Sequence, residues 1–265
     1  MTTPACQTEA ELRQFFADIG SRLELTEAGS RWPGQKKLEQ FLAGISVHIA
    51  RAEKKQRELD RKEATQFNVF DLIEPDENKL SDVLKLLLDP KGSHGQGDLF
   101  LRLLLDKLGF GSRVQRTADA RVQREAPTHA LRNQRRRLDV LVEAGVLLAI
   151  ENKVDSPEQE NQVKDYLEHL ARSAARRQQP YVLIYLTPEG HKPDSFKADE
   201  LQTERNEGRL RCWSYQRDLC GWLEDCRQQC AAQKIKCFLS DFITYIAIHI
   251  KREAPEEQQE QAYAN

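Results

Sequence analysis

Two apolar runs, Leu138-Asp-Val-Leu-Val142 and Val146-Leu-Leu-Ala-Ile-Glu-Asn-Lys-Val154, stand on either side of Glu143-Ala-Gly145. Short apolar runs joined across a glycine-containing turn predict a hairpin. Strands this continuously apolar are covered on both faces, so the chain must build a sheet between two layers. Charged residues at the ends of such strands are costly to bury and are therefore informative. Here they are Asp139, Glu151 and Lys153. Alternation sets Glu151 and Lys153 on one face. Asp139 joins them only if the turn has the right parity. Cross-strand partners share a face and 139 plus 151 is even, so the loop must hold an odd number of residues or carry a bulge. A three-residue loop with Gly145 in or beside it satisfies this; a two-residue Ala144-Gly145 turn would send the carboxylates to opposite faces. Two carboxylates and an ammonium brought together can hold a divalent cation, neutralise phosphate and orient a water.

The flanking sequence reads as alternating helices and strands. Asp76 to Leu88 predicts a helix, stopped by Asp89-Pro90 and the loop Gly92-Ser-His-Gly-Gln-Gly97; a second runs over Leu99 to Leu108. A strand is expected around Arg121 to Glu125, ahead of the hairpin. Ser156-Pro-Glu-Gln159 has the form of a capped helix start, with Gln162 and Tyr166 on one face of that helix. Tyr181 to Thr187 reads as a buried strand, followed by a charged loop, a strand from Leu210 to Tyr215, and helices over Asp218 to Gln229 and Cys237 to Ile250. The order is that of an α/β sandwich. Residues 1–65 read as a helical extension, with Thr8 capping a helix through Ile19. A stripe of Leu38, Phe41, Leu42, Ile45, Ile49 and Ala52 then gives way to charge from Glu53 to Glu63. Residues 66–250 form the main domain, and the Glu/Gln-rich segment 251–265 is expected to be disordered.

Composition narrows the setting. The mean hydropathy is −0.68, and no run approaches membrane-spanning length. Met1-Thr-Thr-Pro lacks the basic and apolar parts of an export signal. Six scattered cysteines with no C-x-x-C pair suit free thiols in a reducing cytoplasm. A net charge of −2 does not mark the whole chain as a nucleic-acid binder, but distribution matters more. Between Arg113 and Arg137 lie eight arginines against Asp119 and Glu125, immediately before the Asp139 strand.

Asp139 and Glu151-Asn152-Lys153 resemble the D…(D/E)-x-K core of the PD-(D/E)XK nuclease superfamily. Upstream, Glu77-Asn-Lys-Leu-Ser-Asp and Ser93-His-Gly-Gln-Gly-Asp look like the first core helix, and the segment after it, of one bacterial branch. Downstream, Gln162-Val-Lys-Asp-Tyr166 is similar to the Q-x-x-x-Y helix motif. Leu138-Asp139 stands where the motif has Pro-Asp, which keeps the carboxylate. The resemblance implies a restriction-endonuclease-like α-β-β-β-α-β core, with a mixed central sheet flanked by helices. It also implies a metal-dependent nuclease, acting on DNA in defence against foreign DNA or in DNA processing. Mg²⁺, or Mn²⁺ in its place, would sit on Asp139, Glu151, the Asn152 carbonyl and Glu77, with Lys153 serving the water and the phosphate. Gln162, Tyr166, Arg135, Arg136, Arg137 and His94 would meet nucleic acid, or Gln162 and Tyr166 would hold Lys153 in place. A separate motor or sensor protein and a second copy of the chain are compatible partners. A catalytically silent nucleic-acid-binding or assembly scaffold is the alternative, against which the retention of Asp139, Glu151 and Lys153 together argues.

Overall fold

The computed structural model describes residues 35–111, 114, 116–129 and 136–250. The chain divides into two compact units, residues 1–67 and 68–265. In the first, helix α1 (Gln35–Glu63) carries Arg61 and Lys62 in its last turn, a favourable placement at the negative end of the helix dipole. From Gly44 to Glu63 nearly every side chain is exposed, Val47 and Ile49 included. The helix expected from Thr8 to Ile19 and the tail 251–265 lie outside the described residues.

The second unit begins with a short helix α2 (Val69–Ile73), then α3 (Glu77–Leu88) and α4 (Leu99–Lys107). The Asp76 side chain caps α3 by accepting the Lys79 N–H at 2.8 Å. Leu80, Leu84, Leu87 and Leu88 recur at helical spacing and are buried on one stripe. Five strands follow: β1 (Arg121–Pro127), β2 (Arg137–Glu143), β3 (Leu147–Asn152), β4 (Tyr181–Thr187) and β5 (Leu210–Ser214), side by side in chain order. The first three run antiparallel, and β4 and β5 run parallel to β3. Parallel neighbours need crossovers. Helix α5 (Gln162–Arg177) supplies the one into β4, and α6 (Ala198–Asn206) the one into β5. A π-helical turn (Tyr215–Leu219) leads into α7 (Cys220–Gln229), and α8 (Gln233–His249) closes the described part.

The hairpin settles the parity. Val140 pairs with Ile150 and Glu143 with Leu147, which leaves Ala144-Gly145-Val146 as a three-residue loop. Gly145 has φ 75°, a left-handed conformation that a side chain would oppose. Continuing the register by one pair sets Asp139 opposite Glu151. Every residue of β3 is buried, as its apolar run requires, because each sheet face has its own cover. On one face Val140, Val142, Leu148, Ile150 and Ile184 pack with α3, α4, α7 and α8. On the other, Leu141, Leu147, Ala149 and Leu183 pack with α5 and Leu201 of α6. Phe70 ties α2 into the first layer, its ring 4.9 Å from that of Phe242.

The layout is the α-β-β-β-α-β core expected, with four corrections. The crossover helix starts at Gln162 and not near Ser156. The Ser156 hydroxyl donates instead to Glu77 at 2.7 Å. Glu158, which would sit in the first turn, accepts the backbone N–H of Asp194 at 2.6 Å. Tertiary contacts have recruited the capping residues. The charged segment read as a loop contains α6, whose single buried residue is Leu201 and which therefore shows no apolar period. The helix expected from Asp218 begins at Cys220, Asp218 lying within the π-helical turn, and the last helix begins at Gln233 rather than Cys237.

Candidate active site

The site forms where β2 begins and β3 ends. There the Asn152 backbone N–H donates to Asp139 Oδ2 at 2.7 Å, so the carboxylate closes the end of the hairpin. Glu151 lies behind it. Its Oε1 accepts from Gln162 Nε2 at 2.6 Å and stands 3.2 Å from Lys153 Nζ. Its Oε2 is buried and has no hydrogen-bond partner among the described residues. Lys153 Nζ is also 3.8 Å from Glu77 Oε1, brought in by the first turn of α3.

Burial sets the electrostatics. It raises the Glu151 carboxyl well above the usual carboxylate range, and the neighbouring Asp139 charge pushes the same way against the pull of Lys153. Asp139 is also raised, first by burial, while the Asn152 N–H, Lys153 and Arg124 draw it down. Two carboxylates therefore compete for one ammonium, and a second cation would relieve both.

The residues present fit such a cation. An orphaned buried carboxylate oxygen costs free energy that coordination would recover. The donor set is hard oxygen, which suits Mg²⁺ or Mn²⁺. Among the described residues no group of three or more His, Cys, Asp or Glu side chains makes a ready metal cage. A site of two carboxylates accords with Mg²⁺, which keeps several waters and takes few protein ligands. Glu77, expected as a third carboxylate on the metal, spends its carboxylate on the chain after Lys153. Oε2 accepts the Val154 N–H at 2.9 Å, and both oxygens lie 2.7 Å from Ser156 Oγ.

A family model of the PD-(D/E)XK nuclease superfamily matches residues 67–244, more than half of the chain. The chain belongs to the PD-(D/E)XK nuclease superfamily. No curated protein and no solved structure matches it. Nuclease-type phosphodiester hydrolysis is the chemistry of this superfamily, and its nucleases generally use divalent metal ions.

In this PD-(D/E)XK domain the remaining sequence-predicted residues take other positions. Gln162 and Tyr166 are buried, and neither faces solvent as a nucleic-acid contact would. Gln162 holds Glu151, donating to its Oε1 while 3.0 Å from Tyr166 Oη; Tyr166 in turn donates to the Arg137 carbonyl at 2.7 Å. The pair braces Glu151, the carboxylate, rather than Lys153. Of the three arginines, Arg135 lies outside the described residues. Arg136 is turned inward, its Nε 2.8 Å from Asp165 on α5 and its other nitrogens on Gln159 and the Glu160 carbonyl. Its guanidinium is committed to that buried carboxylate and to the start of α5, where it is a structural contact. Arg137 is exposed, beside Glu125 at 2.8 Å. His94 is buried too. Its Nδ1 accepts the Gln96 N–H at 3.0 Å, so Nε2 carries the proton and donates to the Asp89 carbonyl at 2.9 Å. The imidazole staples the loop after α3 and is not a phosphate contact.

Sequence reasoning missed Arg124, Ser156 and Tyr215. Arg124 was visible only as one of eight arginines. In the fold its Nε meets Asp82 at 2.8 Å, Nη2 donates to the Asn78 carbonyl at 3.2 Å, and Nη1 donates to the Asp139 carbonyl. It rivets the Asp139 strand to α3. Alternation points Asn152 away from the Glu151 face, and its amide is held by Glu77, Ser81 and Tyr215. A lone tyrosine after a strand gave no sequence signal for that contact.

Proposed function

We propose that the protein is a metal-dependent nuclease hydrolysing phosphodiester bonds of DNA. The observation that carries this reading is the buried, unpartnered Glu151 Oε2 beside Asp139, with Lys153 Nζ 3.2 Å from Glu151 Oε1. Asp139 and Glu151 would hold Mg²⁺ or Mn²⁺, and the Asn152 carbonyl is a further candidate donor. A divalent ion there supplies Lewis-acid stabilisation of the charge that develops on the phosphoryl oxygens. Lys153 sets its ammonium where it can offset phosphate charge and orient the attacking water. Gln162 keeps Glu151 oriented, and Glu77 keeps the segment after Lys153 in place. A role in defence against foreign DNA or in DNA processing is part of the same reading and rests on the family resemblance.

The test is incubation of the purified chain with linear, circular and single-stranded DNA and with RNA, in Mg²⁺, Mn²⁺ or EDTA. Cleavage of DNA with metal, none in EDTA, and loss of cleavage in Lys153→Met and Asp139→Asn are expected. Equal cleavage in EDTA, or full activity of Asp139→Asn, would overturn the assignment. Cleavage of RNA alone would overturn the choice of substrate.

A further inference from the structure

We infer that Tyr215 is a positioning residue for the proposed metal-binding carboxylates, acting through the side chain of Asn152. This rests on the nuclease reading above and names a residue that no part of the D…(D/E)-x-K motif contains. Tyr215 is fully buried and opens the π-helical turn after β5. Such turns are rare and recur at functional sites. Its hydroxyl lies 2.7 Å from Asn152 Oδ1.

The proton's direction follows from chemistry. Asn152 Nδ2 is 3.0 Å from the Glu77 carbonyl, which can only accept, so the amide is fixed with Oδ1 toward Tyr215. Tyr215 must then be the donor. Burial raises its hydroxyl well above the ordinary tyrosine range, which keeps the proton in place. Nδ2 also donates to Ser81 Oγ at 3.1 Å. Three partners thus clamp the Asn152 side chain on the α3 face of the sheet.

What the clamp fixes lies on the other side of the backbone. Asn152 sits between Glu151 and Lys153, and its own N–H donates to Asp139 Oδ2. An amide side chain held at three points cannot swing, so the adjoining peptide planes are held with it. That N–H holds the Asp139 carboxylate against the end of β3, next to Glu151 in sequence. Without the Tyr215 hydroxyl, Oδ1 would be left buried and unsatisfied, and Asn152 would turn to seek a donor. Loss of an outer partner of this kind typically lowers metal affinity by about 10- to 100-fold.

The experiment is a Mn²⁺ titration followed by electron paramagnetic resonance on wild type, Tyr215→Phe, Trp222→Phe and Asp139→Asn, with thermal unfolding of each in EDTA. Trp222 is the control. It is buried in the same core, and its Nε1 donates to the Phe100 carbonyl at 3.1 Å, away from the carboxylates. Tyr215→Phe should bind Mn²⁺ at least about 10-fold more weakly, and its cleavage should need correspondingly more Mg²⁺. Trp222→Phe should lose stability with unchanged Mn²⁺ affinity. Unchanged affinity in Tyr215→Phe, or an equal loss in Trp222→Phe, would overturn the inference. If Tyr215→Phe does not fold, Asn152→Ala carries the same expectation and the same refutation. A wild type that takes up no Mn²⁺, or an Asp139→Asn that binds as wild type does, would sink the nuclease reading and this inference together.

Discussion

Asp139 and Glu151, the carboxylates proposed to hold a metal, are kept at a cost to the metal-free fold. Glu151 is buried and Asp139 half-buried; burial raises both, the Asp139 charge raises Glu151 further, and Lys153 cannot satisfy both. Asp139→Asn keeps an oxygen for the Asn152 N–H and removes one charge. In EDTA at neutral pH it should therefore unfold at higher urea than wild type, by about 1 kcal/mol, while losing cleavage. A variant less stable than wild type under those conditions would show that the carboxylates do not repel. The arginines divide in the same local way. Arg136→Ala strips the guanidinium from Asp165 in a buried pair and should cost about 3 kcal/mol in urea unfolding. Arg137→Ala removes an exposed pair and should change stability by less than about 0.5 kcal/mol. If Arg137 meets a phosphate, that variant should also flatten the plot of log affinity against log salt by about one unit. A common sequence cluster thus hides a structural residue beside a surface one, and only burial separates them.

At the scale of elements, α5 carries a pH-sensitive group in His169. His169 is buried on it, and its Nδ1 accepts the His129 backbone N–H at 3.0 Å. Burial, then His129 and Arg177, lower its pKa from 6.5 to about 4. The unfolded chain takes up this proton near 6.5 and the folded chain only near 4. The contribution is therefore fully present above the higher value and is lost as pH falls through the window. The loss should reach about 2 kcal/mol, with allowance for partial solvent access. Urea unfolding at a series of pH values should show this slope in wild type and lack it in His169→Asn, which keeps an acceptor without a titrating ring. Equal slopes would assign the acid sensitivity elsewhere. Elements also differ in how openly the sequence declares them. The hairpin was legible because its apolar runs and glycine leave few alternatives, and the parity of 139 and 151 could be tested directly. Helix α6 was hidden because only Leu201 is buried. The start of α5 was misplaced because Ser156 and Glu158, good capping residues locally, are taken by Glu77 and by the 194–195 backbone. Local chemistry proposes a cap, and tertiary partners can claim it first.

Across the whole molecule, the convergence of Asp139, Glu151, Lys153 and Glu77 at one spot was legible from alternation and motif order. The scaffold behind them was not, since Arg124, Ser156 and Tyr215 sit in unremarkable sequence and gain meaning only by contact. Those contacts are long in sequence. Glu77 reaches Val154 across 77 residues, Asn152 reaches Glu77 across 75, and Tyr215 reaches Asn152 across 63. Each such closure carries an entropic cost that only the packed core offsets. On refolding from urea, cleavage should return with the slowest global phase, followed by Trp222 fluorescence, and not with early helix formation. Activity returning ahead of that phase would show a partly folded centre to be competent. The consequence concerns safety in the cell that makes the protein. If the protein is the nuclease proposed, a chain still on the ribosome, or one cut before Tyr215, would hold its motif residues without the Tyr215 contact to Asn152, and the capacity to cleave would arrive only with the finished domain.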